Sequence, residues 1–475
     1  MVNYGFVIDN RKCIGCHACT VACKSEHDVP IGVNRTHVKY IEKGTYPDVT
    51  REFSVHRCNH CEDAPCTTIC PTTALFTRDD GIVDFDDDRC IGCRSCMQAC
   101  PYDALYIDPN KGTAAKCNYC AHRIEHSYEP ACVIVCPTEA IISGDMDDEN
   151  SSISGYLRDH VTTVRKPESG ARPNVFYIET SEEMLDPHAT ERSGEYLWTD
   201  QAAGVGHFAK YAEQRRGAAD TNSMIVQLAL EKKAKAANPR DRALVRDVME
   251  RLDEQAGKPK RSYDQPSKGI LWGWEVSAYL TTKAVAAGTY LMAMLMMFTG
   301  LLQMTDELWW QLVIGCTIFL GLTGFLLVKD LDRPDRFLYV LLRPNWDSWL
   351  VKGAYILGGF AGILACSGAV LYFDLDRAYL EYLAIAGIPL ATLTGVYTSW
   401  LFGQARGRSW SEDRFLTAKM FVEMLVAGIA SLILLVSLRE PDSNLFSLVL
   451  AVACLAAVSM HAHRMVIEPQ METLH

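Results

Sequence analysis

The sequence predicts an α+β protein in two unlike parts: a cysteine-rich domain, then an all-α bundle of about six transmembrane helices. Sixteen of the 19 cysteines fall into four groups of four, all before residue 137. Six apolar stretches, each long enough to cross a bilayer, follow residue 270. The net charge of −12 is unsuited to non-specific nucleic-acid binding, so we expect no nucleic-acid partner.

Each cysteine group places four thiols in one short segment. The groups are Cys13, Cys16, Cys19, Cys23; Cys58, Cys61, Cys66, Cys70; Cys90, Cys93, Cys96, Cys100; and Cys117, Cys120, Cys132, Cys136. The third has the spacing C-x2-C-x2-C-x3-C-P, the run that binds [4Fe–4S] clusters in bacterial ferredoxins. In such runs the fourth cysteine binds the neighbouring cluster, so paired runs exchange ligands. The pattern therefore predicts four [4Fe–4S] clusters in a double bacterial-ferredoxin-like domain.

An internal repeat supports paired clusters, because IDNRKCIGCHAC at 8–19 matches FDDDRCIGCRSC at 85–96. Structural zinc and disulfides are the alternatives. Zinc sites often use two separated C-x2-C pairs, and disulfides require an oxidising compartment, so four-cysteine runs favour clusters over either. The remaining Cys316, Cys366 and Cys454 lie in apolar runs, where we expect them to be small core residues.

Residues 1–178 resemble the four-cluster iron–sulfur subunit of molybdopterin oxidoreductases of the dimethyl sulfoxide and polysulfide reductase type. The resemblance rests on the cysteine runs, on GDMDDENS at 144–151 and on RPNVFYI at 172–178. It implies a molybdenum or tungsten pterin catalytic subunit as the partner. It also implies four ligand sets: Cys13, Cys16, Cys19 with Cys136; Cys117, Cys120, Cys132 with Cys23; Cys58, Cys61, Cys66 with Cys100; and Cys90, Cys93, Cys96 with Cys70.

The middle segment, residues 179–268, contains no cysteine and is predicted to be a helical or irregular linker. Apolar residues recur at helical spacing in 222–237 and 243–252. We expect these two helices to pack on the cysteine-rich domain or on the membrane surface. A docking arm for a partner is the alternative, because amphipathicity shows only that one face is covered.

The third segment, residues 269–475, is predicted to be the membrane domain. We place its spans near 276–302, 308–328, 349–373, 379–403, 415–437 and 444–464. Tryptophans such as Trp272, Trp309 and Trp349 lie at span ends, as expected of an interfacial belt.

Basic residues indicate how the bundle is oriented. They concentrate on one side of the predicted spans: Lys258, Lys260, Arg261, Lys268, Lys329, Arg333, Arg336, Arg343, Arg406, Arg408, Arg414 and Arg464. Such loops are usually cytoplasmic. The amino-terminal residues before Cys13 contain no apolar run of signal-peptide length. We therefore expect a multi-pass inner-membrane protein whose cluster domain is cytoplasmic.

The first span is similar to that of the NrfD-like membrane subunits of polysulfide reductases. The similarity lies in LWGWEVSAYLTTKAVAAGTYLMA at 271–293 and in KDLDRPDRF at 329–337. Most members of that family have eight or more spans, against the six counted here. The similarity implies that polar residues of the first helix bind a quinone, menaquinone or ubiquinone, close to the nearest cluster.

Three residues of the first span are candidates for that quinone site. Glu275, Tyr279 and Lys283 follow one another at steps of four and so share a helix face. A lysine in mid-bilayer costs on the order of 3 kcal/mol, which a functional contact would offset. The alternative is a Glu275–Lys283 pair near the interface, with Lys283 snorkelling. Glu423 in the fifth span is a second buried-acid candidate.

Histidine positions argue against haem in the bundle. Haem b needs axial histidines on facing helices, and the first five spans contain none, so we expect no haem. The sequence thus predicts a subunit that passes electrons between quinone and a catalytic partner and anchors it to the membrane. The alternatives are a subunit serving a hydrogenase or multihaem cytochrome, a membrane anchor without quinone chemistry, and a redox-coupled ion transporter.

Overall fold

The computed structural model describes residues 2–45, 47–186, 190–192, 257–264, 269–437 and 445–471. The helices expected at 222–237 and 243–252 lie outside this described part. A domain of small sheets and short helices precedes a bundle of long helices, so the predicted fold class is confirmed.

The first sheet of the cysteine-rich domain has four strands in the order β8-β1-β10-β9. The strands are β1 (Tyr4–Asp9), β8 (Ile141–Asp145), β9 (Thr162–Thr163) and β10 (Val175–Ile178). β1 lies parallel to β10 and antiparallel to β8. Phe6, Ile8, Val175 and Tyr177 are fully buried on one face, because alternate side chains of a strand share a face.

A second sheet, in the order β11-β12-β2-β3, covers the amino-terminal cysteines. β2 (Thr36–Thr45) and β3 (Asp48–Arg57) form a hairpin, to which β12 (Gly257–Tyr263) and β11 (Glu191–Arg192) add. Residues assigned to the linker by sequence therefore form strands on the cysteine-rich domain.

Short elements carry the remaining cysteines. Two small hairpins are β4 (Leu75–Thr77) with β5 (Val83–Phe85) and β6 (Tyr106–Asp108) with β7 (Thr113–Ala115). The short helices are α1 (Ala18–Glu26), α2 (Pro65–Ile69), α3 (Ser95–Ala99), α4 (Ala121–Ile124), α5 (Ala131–Ile134), α6 (Ser152–Asp159) and α7 (Glu182–Leu185).

Six helices of the described residues are long and apolar enough to cross a membrane. They are α8 (Trp274–Phe298), α9 (Asp306–Lys329), α11 (Trp349–Tyr372), α12 (Ala378–Gly403), α13 (Leu416–Ser437) and α14 (Leu445–Met471); the short α10 (Tyr339–Leu342) lies between α9 and α11. The largest difference from the predicted spans is in α14, which runs past 464 to Met471. Its last turn is held by Gln470, a fully buried side chain that binds the backbone of Leu271 and Trp272.

Helix α8 is the centre of the bundle and packs against α9, α12, α13 and α14. Its closest neighbour is α13, because Gly288 and Gly428 face each other without side chains. A Cβ atom on Gly288 would overlap the backbone carbonyl of Met424, and one on Gly428 would overlap the backbone of Gly288. Small residues at such crossings let helix backbones approach closely in a membrane.

We expect Gly288→Ala to destabilise the bundle by about 1–3 kcal/mol, because the added methyl group forces α8 and α13 apart. Gly315→Ala in α9 is the matched control, since a Cβ atom there meets nothing within 4 Å. Thermal unfolding in detergent, followed by tryptophan fluorescence, measures both. Equal unfolding temperatures for the two variants would contradict the close approach.

The cysteine-rich domain rests on the loops at one end of the bundle. Arg94 binds Asp332 at 2.6 Å and donates to the Leu271 carbonyl, while Asn345 donates to the Cys70 carbonyl at 2.7 Å. Arg336 donates to the Cys90 carbonyl at 3.2 Å. The basic loops and the cysteine-rich domain therefore lie on the same side of the bundle, as the sequence predicted.

Candidate iron–sulfur centres and membrane site

The two copies of the internal repeat fold into the same loop. Gly15 and Gly92 both have φ of 69°, and His17 and Arg94 both have φ of 59°. A Cβ atom on Gly15 would overlap the Phe53 ring, and left-handed backbone suits glycine. The loop turns so tightly that its three cysteines face one space.

Two of the four implied ligand sets line cavities. One cavity is lined by Cys70, Cys90, Cys93 and Cys96. Another cavity is lined by Cys13, Cys16, Cys19 and Cys136. In each set, three cysteines come from one run and the fourth from a distant run.

The eight other cysteines of the four runs lie near one another in two groups of four. Burial raises the pKa of the Cys23 thiol, and repulsion from Cys117, Cys132 and Cys120 raises it further. Burial also raises the pKa of the Cys61 thiol, with added repulsion from Cys58, Cys100 and Cys66. The structure therefore brings Cys23 close to Cys117, Cys120 and Cys132, and Cys61 close to Cys58, Cys66 and Cys100. The assignment of the cysteines to four ligand sets stays a prediction.

The chemistry of these sets fits iron–sulfur clusters. Burial raises the pKa of Cys19 to about 12 and that of Cys117 to about 11, so the thiolates need nearby positive charge, which iron supplies. Backbone amides also donate to three of the sulfurs, at 3.2–3.5 Å. The amide of Ala104 donates to Cys100, that of Ala114 to Cys90, and that of Ala140 to Cys136.

A single metal ion needs ligands that converge on one point. No three His, Cys, Asp or Glu side chains in the described segments are placed to hold one ion in this way. The thiols instead surround wider spaces, an arrangement that suits a multi-iron cluster better than tetrahedral zinc.

The set containing Cys93 lies against the membrane domain. The Trp272 indole donates from Nε1 to the Cys93 carbonyl at 3.1 Å. Its ring stacks on Phe402 and Trp410, with centroids 5.6 and 5.7 Å away. An aromatic cluster therefore separates this set from the first turns of α8.

The three candidate quinone residues lie in two different environments: Glu275 is near the loops, whereas Tyr279 and Lys283 are buried in the bundle. The Glu275 carboxylate lies 3.7 Å from the Lys329 ammonium, near the loops. Lys283 is only 2% exposed, and its ammonium donates to the Thr398 hydroxyl. That ammonium lies 4.5 Å from the Tyr397 ring centre and 5.9 Å from that of Tyr279. The alternative of a Glu275–Lys283 pair with a snorkelling lysine is therefore wrong.

Sequence reasoning missed the partners of Lys283. Tyr397 and Thr398 lie in the polar stretch TGVYTS of α12, and that local polarity was the available signal. Glu423, the second buried-acid candidate, binds His461 of α14. Cys366 is exposed on the outer face of the bundle, contrary to the expectation of a core residue, whereas Cys316 is buried and Cys454 half-buried.

Comparisons with known families agree with both halves of the chain. Residues 49–146 match the 4Fe-4S dicluster domain, and residues 264–462 match the polysulphide reductase NrfD family.

Three curated relatives resemble part of the chain. A dimethyl sulfoxide reductase iron–sulfur subunit of Halobacterium salinarum is 38% identical over 46% of this chain and 93% of its own length. A tetrathionate reductase subunit of Salmonella typhimurium is 41% identical, over 42% and 80%. A polysulfide reductase polypeptide of Wolinella succinogenes is 43% identical, over 37% and 93%. The chain belongs to this family of reductase iron–sulfur subunits, joined in one polypeptide to a membrane domain of the NrfD family.

Proposed function

We propose that the chain conducts electrons between a membrane quinone and a molybdenum or tungsten pterin catalytic subunit, through four [4Fe–4S] clusters. The observation that carries the proposal is the placement of the cysteine sets. One set reaches the surface at the exposed Cys16, and another lies against Trp272 at the membrane domain. The domains would be residues 1–178 for the clusters and 269–475 for the membrane bundle, with 179–268 between them adding strands β11 and β12 to the cluster domain.

We infer that the four sets form a line between those two ends, because cysteines of successive sets are near one another. A charge on Cys132 raises the pKa of Cys19, so the first set lies close to the second. Cys117 of the second set is close to Cys58 of the third. Cys66 of the third set is close to Cys70 of the fourth. Bound clusters supply one-electron chemistry, and the chain supplies their spacing and surroundings.

The membrane end suits a quinone because polar groups meet there in an apolar bundle. The Lys283 ammonium, the Thr398 hydroxyl and the rings of Tyr279 and Tyr397 share one buried place. A buried ammonium can donate a hydrogen bond to a quinone carbonyl and later pass on a proton. Glu275, nearer the loops beside Lys329, is placed to exchange protons with water on that side.

The opposite end offers a surface for the catalytic subunit. Beside the set that contains Cys16, two large apolar side chains are exposed: Ile14 in the same loop, and Val21 on the helix that carries Cys19. A pterin enzyme that buried these side chains would receive electrons from the nearest cluster. The basic loops on the cluster side support a cytoplasmic position for this partner.

Iron content tests the four-cluster proposal. We expect the anaerobically purified chain to contain about sixteen iron atoms and as much acid-labile sulfide. Cys70→Ser should remove the electron paramagnetic resonance signal of the membrane-side cluster, because Cys70 completes that set. Cys366→Ser, at an exposed cysteine outside the sets, is the control and should retain all signals. Wild-type protein without iron would end the proposal.

A further inference from the structure

Arg57 is a buried arginine in the middle of the cluster line. It ends β3 immediately before Cys58, and it is 2% exposed. Its Nη1 donates to the Cys132 sulfur at 3.0 Å, and its guanidinium carbon lies 4.4 Å from the centre of the Phe6 ring. The charges of Cys117 and Cys19 also act on it, so it lies between the first and second ligand sets.

No carboxylate among the described residues balances this arginine. In the part of the chain that the structure describes, Arg57 forms no ion pair with Asp or Glu, and its Nε and Nη2 have no hydrogen-bond partner. Guanidinium remains charged at all physiological pH values, and a buried charge is costly unless an opposite charge lies nearby. The anionic sulfur atoms beside it are the available counter-charge.

Two other buried cations differ from Arg57. Arg94, beside Cys93, forms ion pairs with Asp332 and Asp330 at 2.6 and 3.4 Å. Lys116, beside Cys117, donates to the carbonyls of Val83 and Cys117. Arg94 and Lys116 thus donate to protein oxygen atoms, whereas the guanidinium of Arg57 donates to a cysteine sulfur and has no oxygen partner among the described residues.

We propose that Arg57 is a potential-tuning residue that raises the reduction potential of the cluster bound by Cys23, Cys117, Cys120 and Cys132. A reduced cluster carries one more negative charge than an oxidised cluster. A buried positive charge and an N–H···S hydrogen bond both stabilise the reduced form, and the effect is large because little water screens it. This inference rests on the proposed clusters.

Potentiometric titration of the full-length protein, followed by electron paramagnetic resonance, tests the proposal. We expect Arg57→Gln to lower the reduction equilibrium constant of one cluster at least tenfold, which is a fall of about 59 mV for one electron. Arg57→Lys keeps the charge and should change that constant less than threefold. Arg123→Gln is the control, because Arg123 is partly exposed, pairs with Glu26 and should change no cluster more than twofold.

Unchanged potentials in iron-replete Arg57→Gln would overturn the inference, as would an equal fall in Arg57→Lys. If Arg57→Gln does not bind its clusters, a measurement on the wild-type protein still tests the inference. With ¹⁵N-labelled arginine, pulsed paramagnetic resonance of the reduced wild-type protein should show a nitrogen coupled to one cluster, and Arg57→Lys should lose it. Absence of that coupling would also overturn the inference. Wild-type protein without cluster signals would instead contradict the proposed function.

Discussion

Lys283→Met should slow reduction of the clusters by a quinol at least about 100-fold, the range expected when a group that transfers protons is lost. Methionine keeps most of the side-chain volume but removes the ammonium that donates to Thr398 and lies over Tyr397. Stopped-flow absorbance near 400 nm, with a menaquinol or ubiquinol analogue as reductant, measures the rate.

Two controls separate a quinone defect from a folding defect. Dithionite should reduce the clusters of Lys283→Met at the wild-type rate, because it does not require the membrane site. Lys352→Met, whose ammonium lies over Trp349 at the loop end of α11, should keep the wild-type quinol rate. A Lys283→Met rate within threefold of wild type would mean that the quinone binds elsewhere or that the bundle is only an anchor.

Arg94→Ala should weaken attachment of the cluster domain to the bundle by about 3–5 kcal/mol, because it leaves two carboxylates partly buried without their cation. The side chain of Arg94 is 3% exposed, and those of Asp330 and Asp332 are 11% and 19% exposed. Burial raises the pKa of Asp330 to about 7 although Arg94 acts to lower it, so losing Arg94 raises that pKa further.

The temperature at which the 400 nm absorbance disappears measures this attachment. Arg333→Ala is the matched control from the same loop, since its contacts with Asp335 and with the Lys111 carbonyl are exposed and such surface pairs contribute at most about 1 kcal/mol. We expect a clear fall for Arg94→Ala and little change for Arg333→Ala. Similar values for both variants would show that the buried ion pairs do not hold the two parts together.

Local patterns explain why much of the fold was predictable. Cysteine spacing, the repeat at 8–19 and 85–96, and the length of the apolar runs are each properties of one short segment. The spans were placed within a few residues, except at the end of α14, where the deciding contacts of Gln470 are with Leu271 and Trp272.

Contacts between segments that are far apart in the sequence could not be predicted from such local patterns. Outside the stretch TGVYTS, α12 is apolar on all sides, so periodicity does not indicate which face meets a neighbour. Thr398 is 115 residues from Lys283, and their contact depends on how α8 and α12 cross. The pairing of the cysteine sets came from the resemblance, since spacing alone allows several exchanges of fourth ligands.

Strand β12 has a consequence for how the two parts meet. It pairs with β2 of the cluster domain, and only residues 264–273 separate it from the first membrane helix. So short a tether holds the docking partners at a high effective concentration, whatever the amount of protein present. Electron exchange between the membrane and the clusters should therefore be insensitive to dilution, unlike that of an assembly whose two components are separate chains.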